Sequence, residues 1–134
     1  MTDMLQSDPS AARFAANPTL ADLVFRLTVG GMLIPHGIGK LITYGPEVEV
    51  FGNIFGLHPA PAWVIGAAMF QIVIGGLIVA GRFVRPAALL LAAFMIGTIV
   101  VANHSAWFWQ FKGAEYAVFW ALMGIVLFLK PEPA

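Results

Sequence analysis

Residues 26–40 read RLTVGGMLIPHGIGK, and they decide how the rest of the chain is interpreted. They lie within the first long apolar segment, residues 20–42, which is long enough to cross the hydrocarbon of a bilayer. A membrane-length helix rarely carries a cation, a proline and a histidine along its length. Ionisable side chains in hydrocarbon cost about 2.5–3.5 kcal/mol each on insertion scales, and they usually face a bundle interior or a cavity. The segment therefore marks where a functional site is expected.

The composition of the whole chain predicts a membrane protein. Of its 134 residues, 60% are hydrophobic and 10% are charged, against about 25% charged in an average soluble domain. The formal net charge is zero, with 7 basic and 7 acidic residues, so no basic patch predicts nucleic-acid binding. The chain has no cysteine, which excludes disulfides, thiolate nucleophiles and cysteine-ligated metal sites within it. Any redox electrons would therefore be carried by a bound group or by a partner.

Four apolar runs reach roughly the length of a membrane span. Backbone groups must be satisfied internally in lipid, so such runs form helices, and strand-like alternation typical of a barrel is missing from the sequence. The predicted fold is an all-α membrane protein, a four-transmembrane-helix bundle. Its spans are predicted at 20–42, 61–80, 84–102 and 114–129, in a membrane domain that covers 20–130 and follows a polar tail at 1–19.

A short apolar segment, residues 48–59, lies between the first two predicted spans and is too short to cross a bilayer. It is expected either to form a short helix in the outer interface or to cover the mouth of the bundle as a lid. The alternative is a folded loop that packs on the bundle.

The basic residues predict the orientation of the chain. Four of them fall in the N-terminal tail, in the loop between the second and third spans, and at the C-terminus. In a four-span bundle these three places lie on the same side of the membrane, and the positive-inside rule makes that side cytoplasmic. Both termini are therefore expected in the cytoplasm, in a multi-pass protein of the inner (cytoplasmic) membrane. The four residues are Arg13, Arg82, Arg85 and Lys130.

Polar side chains near the middle of the predicted helices are the first site candidates. His36 and Lys40 are four residues apart, so they share one helix face with Arg26 within about 80°. Arg26 and Lys40 are expected to snorkel to opposite interfaces, and His36 is expected to line a cavity. The alternatives are a polar stripe in which all three face an internal cavity, and a hydrogen bond from His36 to a neighbouring helix. Gln71 lies mid-helix, where an amide usually bonds across helices. Its functional alternative is a hydrogen bond to a quinone or a lipid head group.

The remaining candidates lie near the start of the last span. His104 is expected either to bind a ligand or to be a solvated loop histidine. Glu115 either complements the positive end of its helix or pairs with Lys40 or His36. No histidine spacing predicts a metal site, and no motif identifies a catalytic residue or a covalent cofactor. The candidate ligand-binding residues are His36, Lys40, Gln71, His104, Glu115 and Tyr116.

Residues 26–41 resemble the first-helix signature of the DoxX family, and the resemblance extends over roughly residues 20–130. The block Pro35-His36-Gly37 and the pair Glu115-Tyr116 are its most specific parts. The resemblance implies a small four-helix integral membrane protein. Many members carry a glutamate in the second helix where Gln71 aligns, and because glutamine does not titrate, a hydrogen-bonding role is expected there instead of a proton relay.

The resemblance implies two competing functions. DoxX relatives have been linked to thiosulfate:quinone oxidoreduction, to quinone stress responses and to membrane complexes with oxidative-stress enzymes, whereas more distant relatives act as receptors or chaperone-like proteins. The first expectation is a membrane subunit or accessory of a quinone-linked redox system that binds a quinone or lipid-like ligand in a polar pocket near the outer face. The alternative is a non-enzymatic membrane scaffold, chaperone or assembly factor. Membrane or redox protein partners, or a homo-oligomer, are expected in either case, and whether the chain is itself catalytic stays open.

Overall fold

The structure, a computed structural model, describes residues 18–103, 105–108 and 113–130. All regular structure in these residues is helical, so the predicted all-α fold is confirmed. The first helix starts at Pro18, two residues before the predicted span, so the last two residues of the predicted polar tail belong to the helix. Residues 1–17 lie outside the described part. The helices are α1 (Pro18–Ile42), α2 (Tyr44–Glu49), α3 (Ala60–Ala80), α4 (Val84–Ala102) and α5 (Glu115–Leu129), with a π-helical turn (Val50–Ile54) directly after α2.

Proline and glycine set most of the helix ends. Pro61 lies in the first turn of α3, where its missing N–H costs no hydrogen bond. Gly81 ends α3 in the left-handed conformation (φ 74°), which glycine adopts without steric cost. Thr43 forms the turn between α1 and α2, and its side chain donates a hydrogen bond of 2.9 Å to the carbonyl of Gly39. The helices therefore begin and end close to the positions that sequence punctuation predicts.

Helices α3 and α4 are each long and apolar enough to cross a membrane. Helix α5 is a shorter apolar helix. Helix α1 has 25 residues, which at about 1.5 Å per residue also exceeds the hydrocarbon thickness. Large apolar side chains are exposed along all four of these helices, as expected of surfaces that face lipid.

The bundle consists of two closely packed helix pairs. Helix α1 packs mainly against α3, and α4 packs mainly against α5. In the first pair the backbones touch, because a Cβ added at Gly30 would lie 2.5 Å from the carbonyl oxygen of Gly75. A Cβ at Gly37 would lie 2.7 Å from the oxygen of Ala68. Of the two neighbouring glycines on α3, only Gly75 lies at the contact, since a Cβ at Gly76 would meet nothing within 4 Å.

Ion pairs and hydrogen bonds of charged side chains link the helices at one end of the bundle, which we call the ion-pair end. Buried apolar side chains of the core, among them Ile78, Leu91 and Leu127, pack in this half. Here Asp22 of α1 accepts hydrogen bonds from Arg26 Nε at 2.9 Å and from Lys130 Nζ at 3.1 Å. Arg26 Nη1 also donates to the carbonyls of Ile78 and Val79 at 3.2 Å each, at the C-terminal end of α3. One buried carboxylate therefore joins α1 to the chain after α5, and one guanidinium joins α1 to α3.

The structure does not form the alternative of a continuous polar stripe on α1. His36 and Arg26 do share a helix face, but ten residues separate them by about 15 Å along the axis. That distance places Arg26 at the ion-pair end, where it pairs with Asp22 instead of facing a cavity with His36.

Candidate functional site

A cavity of about 940 Å³ opens between the two helix pairs at the end opposite the ion pairs, which we call the cavity end. Its walls are the second half of α1, the first half of α3, the second half of α4 and the start of α5. The segment formed by α2 and the π-helical turn contributes a further wall. The volume lies in the range of about 300–1,000 Å³ typical of sites for small organic ligands.

Four of the predicted site residues line this one cavity. His36 and Lys40 come from α1, Gln71 comes from α3, and Tyr116 comes from α5. The rings of His36 and Tyr116 have centroids 6.2 Å apart, so α1 and α5 approach each other through these two side chains. The fold therefore brings together polar groups that are separated by up to 80 positions in the sequence.

Gln71 has the most unusual environment of these residues. It is 2% exposed, and its Oε1 has no hydrogen-bond partner among the described residues. A buried amide without a partner costs about 1–3 kcal/mol in mutational data. The expected bond from Gln71 to a neighbouring helix is thus not made within the described part of the chain. Gln71 also borders the cavity, but it is almost fully buried, so a ligand in the cavity would reach its amide only after the side chain rotates.

Aromatic and aliphatic groups form most of the remaining wall. The rings of Phe70 on α3 and Phe94 on α4 stack with centroids 4.7 Å apart and planes 18° from parallel. Both rings line the cavity, and so does Trp63. A few polar groups on an apolar wall are the usual composition of a site for an organic ligand. The cavity therefore suits a molecule with a polar head and an apolar body.

The segment after α1 borders the cavity through Glu47, Val50, Phe51 and Phe55. Its π-helical turn is closed by hydrogen bonds from Phe55 N to the oxygen of Val50 at 3.1 Å and from Leu57 N to that of Phe51 at 2.9 Å. Single π-helical turns are frequent at functional sites. Of the alternatives for this segment, the structure shows packing on the bundle beside the cavity.

One predicted site residue of the described part, Glu115, does not line this cavity. Glu115 begins α5 and borders a separate shallow groove with Trp107, Phe119 and the other side of Tyr116. His104 lies outside the described residues. Sequence reasoning did not select Glu47, Phe70, Phe94 or Thr98, which also line the cavity. Nothing in the sequence marked these residues as part of a site. A carboxylate between two predicted spans and aromatic residues on an apolar helix are common in any membrane protein.

The described residues contain no group of three His, Asp or Glu side chains that could hold a metal ion. The chemistry that the cavity does provide is hydrogen bonding from an imidazole, an amide and a phenol, next to one ammonium and one carboxylate.

Comparisons with known proteins agree with this description of the fold. The helical, membrane-length segments define the class as an all-α membrane protein. Residues 21–104 match the DoxX family, so the chain belongs to the DoxX family. It is also 30% identical over 99 residues to the inner membrane protein YphA of Escherichia coli (strain K12), covering 74% of this chain and 67% of that protein. No solved structure matches the chain.

Proposed function

We propose that this protein binds a quinone or a lipid-like amphiphile in the cavity, and that it serves a quinone-linked redox system as a membrane subunit or accessory. The observation that carries the proposal is the large, mostly apolar cavity whose wall brings together His36, Lys40 and Tyr116, with the Gln71 amide, whose Oε1 has no partner among the described residues, beside them. Quinone carbonyls accept hydrogen bonds, and quinol hydroxyls donate them. The Gln71 amide can present either its NH₂ or its oxygen after a half-turn of the side-chain amide, so it suits both redox forms.

The membrane arrangement that fits this function has four spans, formed by α1, α3, α4 and α5. The relative named an inner membrane protein and the distribution of basic residues support an inner-membrane location with both termini in the cytoplasm. In that orientation the cavity end lies in the outer half of the bilayer. A ligand dissolved in the bilayer could then reach the cavity from the lipid.

Binding of added quinone tests the proposal. Purified protein in phosphatidylcholine nanodiscs is titrated with decylubiquinone, and quenching of tryptophan fluorescence reports binding close to Trp63. We expect saturable quenching in the wild type and at least about tenfold weaker binding in His36→Ala, equivalent to about 1.4 kcal/mol. Non-saturable quenching that is equal in both proteins would contradict a quinone site. A stable protein partner retained by His36→Ala would instead favour the scaffold alternative.

Filling the cavity is expected to abolish binding. Gly66 lines the cavity and a Cβ there meets nothing within 4 Å, so Gly66→Phe adds a ring to the cavity without a backbone clash. Gly76, ten residues further along α3, also has open space but does not line the cavity. Gly76→Phe therefore makes the same chemical change outside the site. We expect decylubiquinone binding to be lost in Gly66→Phe and unchanged in Gly76→Phe, and equal binding in the two variants would contradict the assignment.

Removing the Gln71 amide is expected to stabilise the empty protein while weakening binding. Gln71→Leu replaces an unpartnered buried amide by an apolar group of similar size. The free energy of unfolding should rise by about 1 kcal/mol, because the cost of the unsatisfied group disappears. Thermal unfolding followed by circular dichroism in detergent measures this change, and the quinone titration measures affinity. A large loss of stability would show that the amide has a structural partner that the cavity interpretation omits.

A further inference from the structure

The fixed charges around the cavity define a second property of its ligand. Among the described lining residues, only Lys40 and Glu47 carry a full charge of fixed sign near neutral pH. The two charges are opposite in sign and lie in the wall of the same cavity. The other polar groups of the lining offer hydrogen bonds without a fixed charge; they are His36, Gln71, Thr98, Asn103 and Tyr116.

Glu47 holds its position in the wall because of the short helix that carries it. Helix α2 begins two residues after the end of α1, so Glu47 follows Lys40 by only seven positions. Glu47 is partly buried and lines the cavity, whereas Glu49 on the same helix is exposed and does not. The chain therefore places one of its two neighbouring carboxylates beside the ligand space.

A carboxylate in this position discriminates between ligands. An anionic head group that approached Lys40 would also meet Glu47, whose repulsion offsets the attraction to Lys40. A neutral head group meets no such penalty and still finds the imidazole, amide and phenol donors. Building an opposing charge against a competing ligand is a common way to achieve specificity.

We propose that the cavity selects amphiphiles with an uncharged polar head, and that Glu47 is the residue that excludes anions. The inference rests on the proposed binding function and specifies the class of ligand. In the empty cavity Lys40 neutralises the charge of Glu47, and it does not serve as a binding site for a phosphate or a carboxylate.

A pair of probes that differ only in charge tests the inference. Doxyl-labelled N-stearoylglycine and its methyl ester are added to protein in phosphatidylcholine nanodiscs near neutral pH, where the acid is ionised and Lys40 keeps its charge. The immobilised fraction of the electron paramagnetic resonance spectrum gives the amount bound. Each probe is measured with wild type, Glu47→Gln, Glu49→Gln and the double variant Lys40→Gln with Glu47→Gln. Gly66→Phe identifies the part of the signal that comes from the cavity.

The wild type and Glu49→Gln should prefer the ester. Glu47→Gln should shift the preference towards the acid by about tenfold, the order expected for one unit charge near a protein surface. The double variant should return to the ester, because it removes the cation as well. Cavity binding that favours the acid in the wild type, or an equal effect of Glu47→Gln and Glu49→Gln, would overturn the inference while leaving the binding function intact. No cavity binding of either probe, together with no quinone binding, would overturn both.

Discussion

Gly75→Leu is expected to disrupt the fold, whereas Gly76→Leu is expected to have little effect. A Cβ at Gly75 would lie 2.8 Å from the carbonyl oxygen of Gly30 and 2.8 Å from Cγ1 of Ile34. The backbone of α1 cannot yield without separating from α3, so the free energy of unfolding should fall by about 3 kcal/mol or more, the upper range of overpacking effects. A Cβ at Gly76 meets nothing within 4 Å.

The comparison is well matched because the two positions are adjacent and the residue change is identical. Thermal unfolding in mild detergent, followed by circular dichroism and by size-exclusion chromatography, measures both variants. Gly76→Leu should unfold near the wild-type temperature, and Gly75→Leu should aggregate or unfold well below it. Equal stability would mean that α1 and α3 do not meet through these glycines.

Asp22→Asn is expected to have the second largest effect. Asp22 is 8% exposed, and its carboxylate accepts hydrogen bonds from both Arg26 and Lys130. Removing its charge leaves two cations without their anion in a poorly solvated place, although both side chains keep some access to water. We expect a loss of about 2–3 kcal/mol in the free energy of unfolding, below the 3–5 kcal/mol of a fully buried pair.

A double-mutant cycle separates the pair from the single changes. Lys130→Gln alone, Asp22→Asn alone and the two together are unfolded thermally under the same conditions. The double variant should lose less than the sum of the single variants, because Asp22→Asn already removes the partner of Lys130. Glu49→Gln, which changes an exposed carboxylate, serves as the control for charge alone. Strict additivity would show that Asp22 and Lys130 do not interact.

Most of the secondary structure could be predicted from the sequence. Runs of apolar residues gave the helices, and residues such as Pro61 and Gly81 gave their ends, because their backbone preferences act locally. The membrane class followed from composition. These features are determined by residues that are close together in the sequence, so they can be read from the sequence directly.

Features that depend on distant parts of the chain could not be predicted in the same way. Asp22 and Lys130 are 108 residues apart, and nothing local marks them as partners. The same holds for the stacked rings of Phe70 and Phe94 and for Glu47 in the cavity wall. Gln71 was a candidate because an amide is costly in lipid, but its lack of a partner became visible only in the folded chain.

The two ends of the bundle have different physical roles. At the ion-pair end, buried side chains and the bond from Lys130 to Asp22 hold the two helix pairs together. At the cavity end, the pairs touch through the rings of Phe70 and Phe94, enclose the cavity and leave Gln71 Oε1 without a hydrogen-bond partner among the described residues. A protein that is tightly packed at one end can keep such a cavity at the other without losing its fold.

Mass spectrometry of small molecules bound to the protein tests the central claim most directly. Wild type, Gly66→Phe and Gly76→Phe are purified from native membranes in a mild detergent without added lipid, and organic extracts are compared per mole of protein. The cavity assignment predicts an amphiphile with an uncharged polar head, such as a quinone, that is present with wild type and Gly76→Phe and depleted with Gly66→Phe. Extracts that are the same for all three proteins would contradict it.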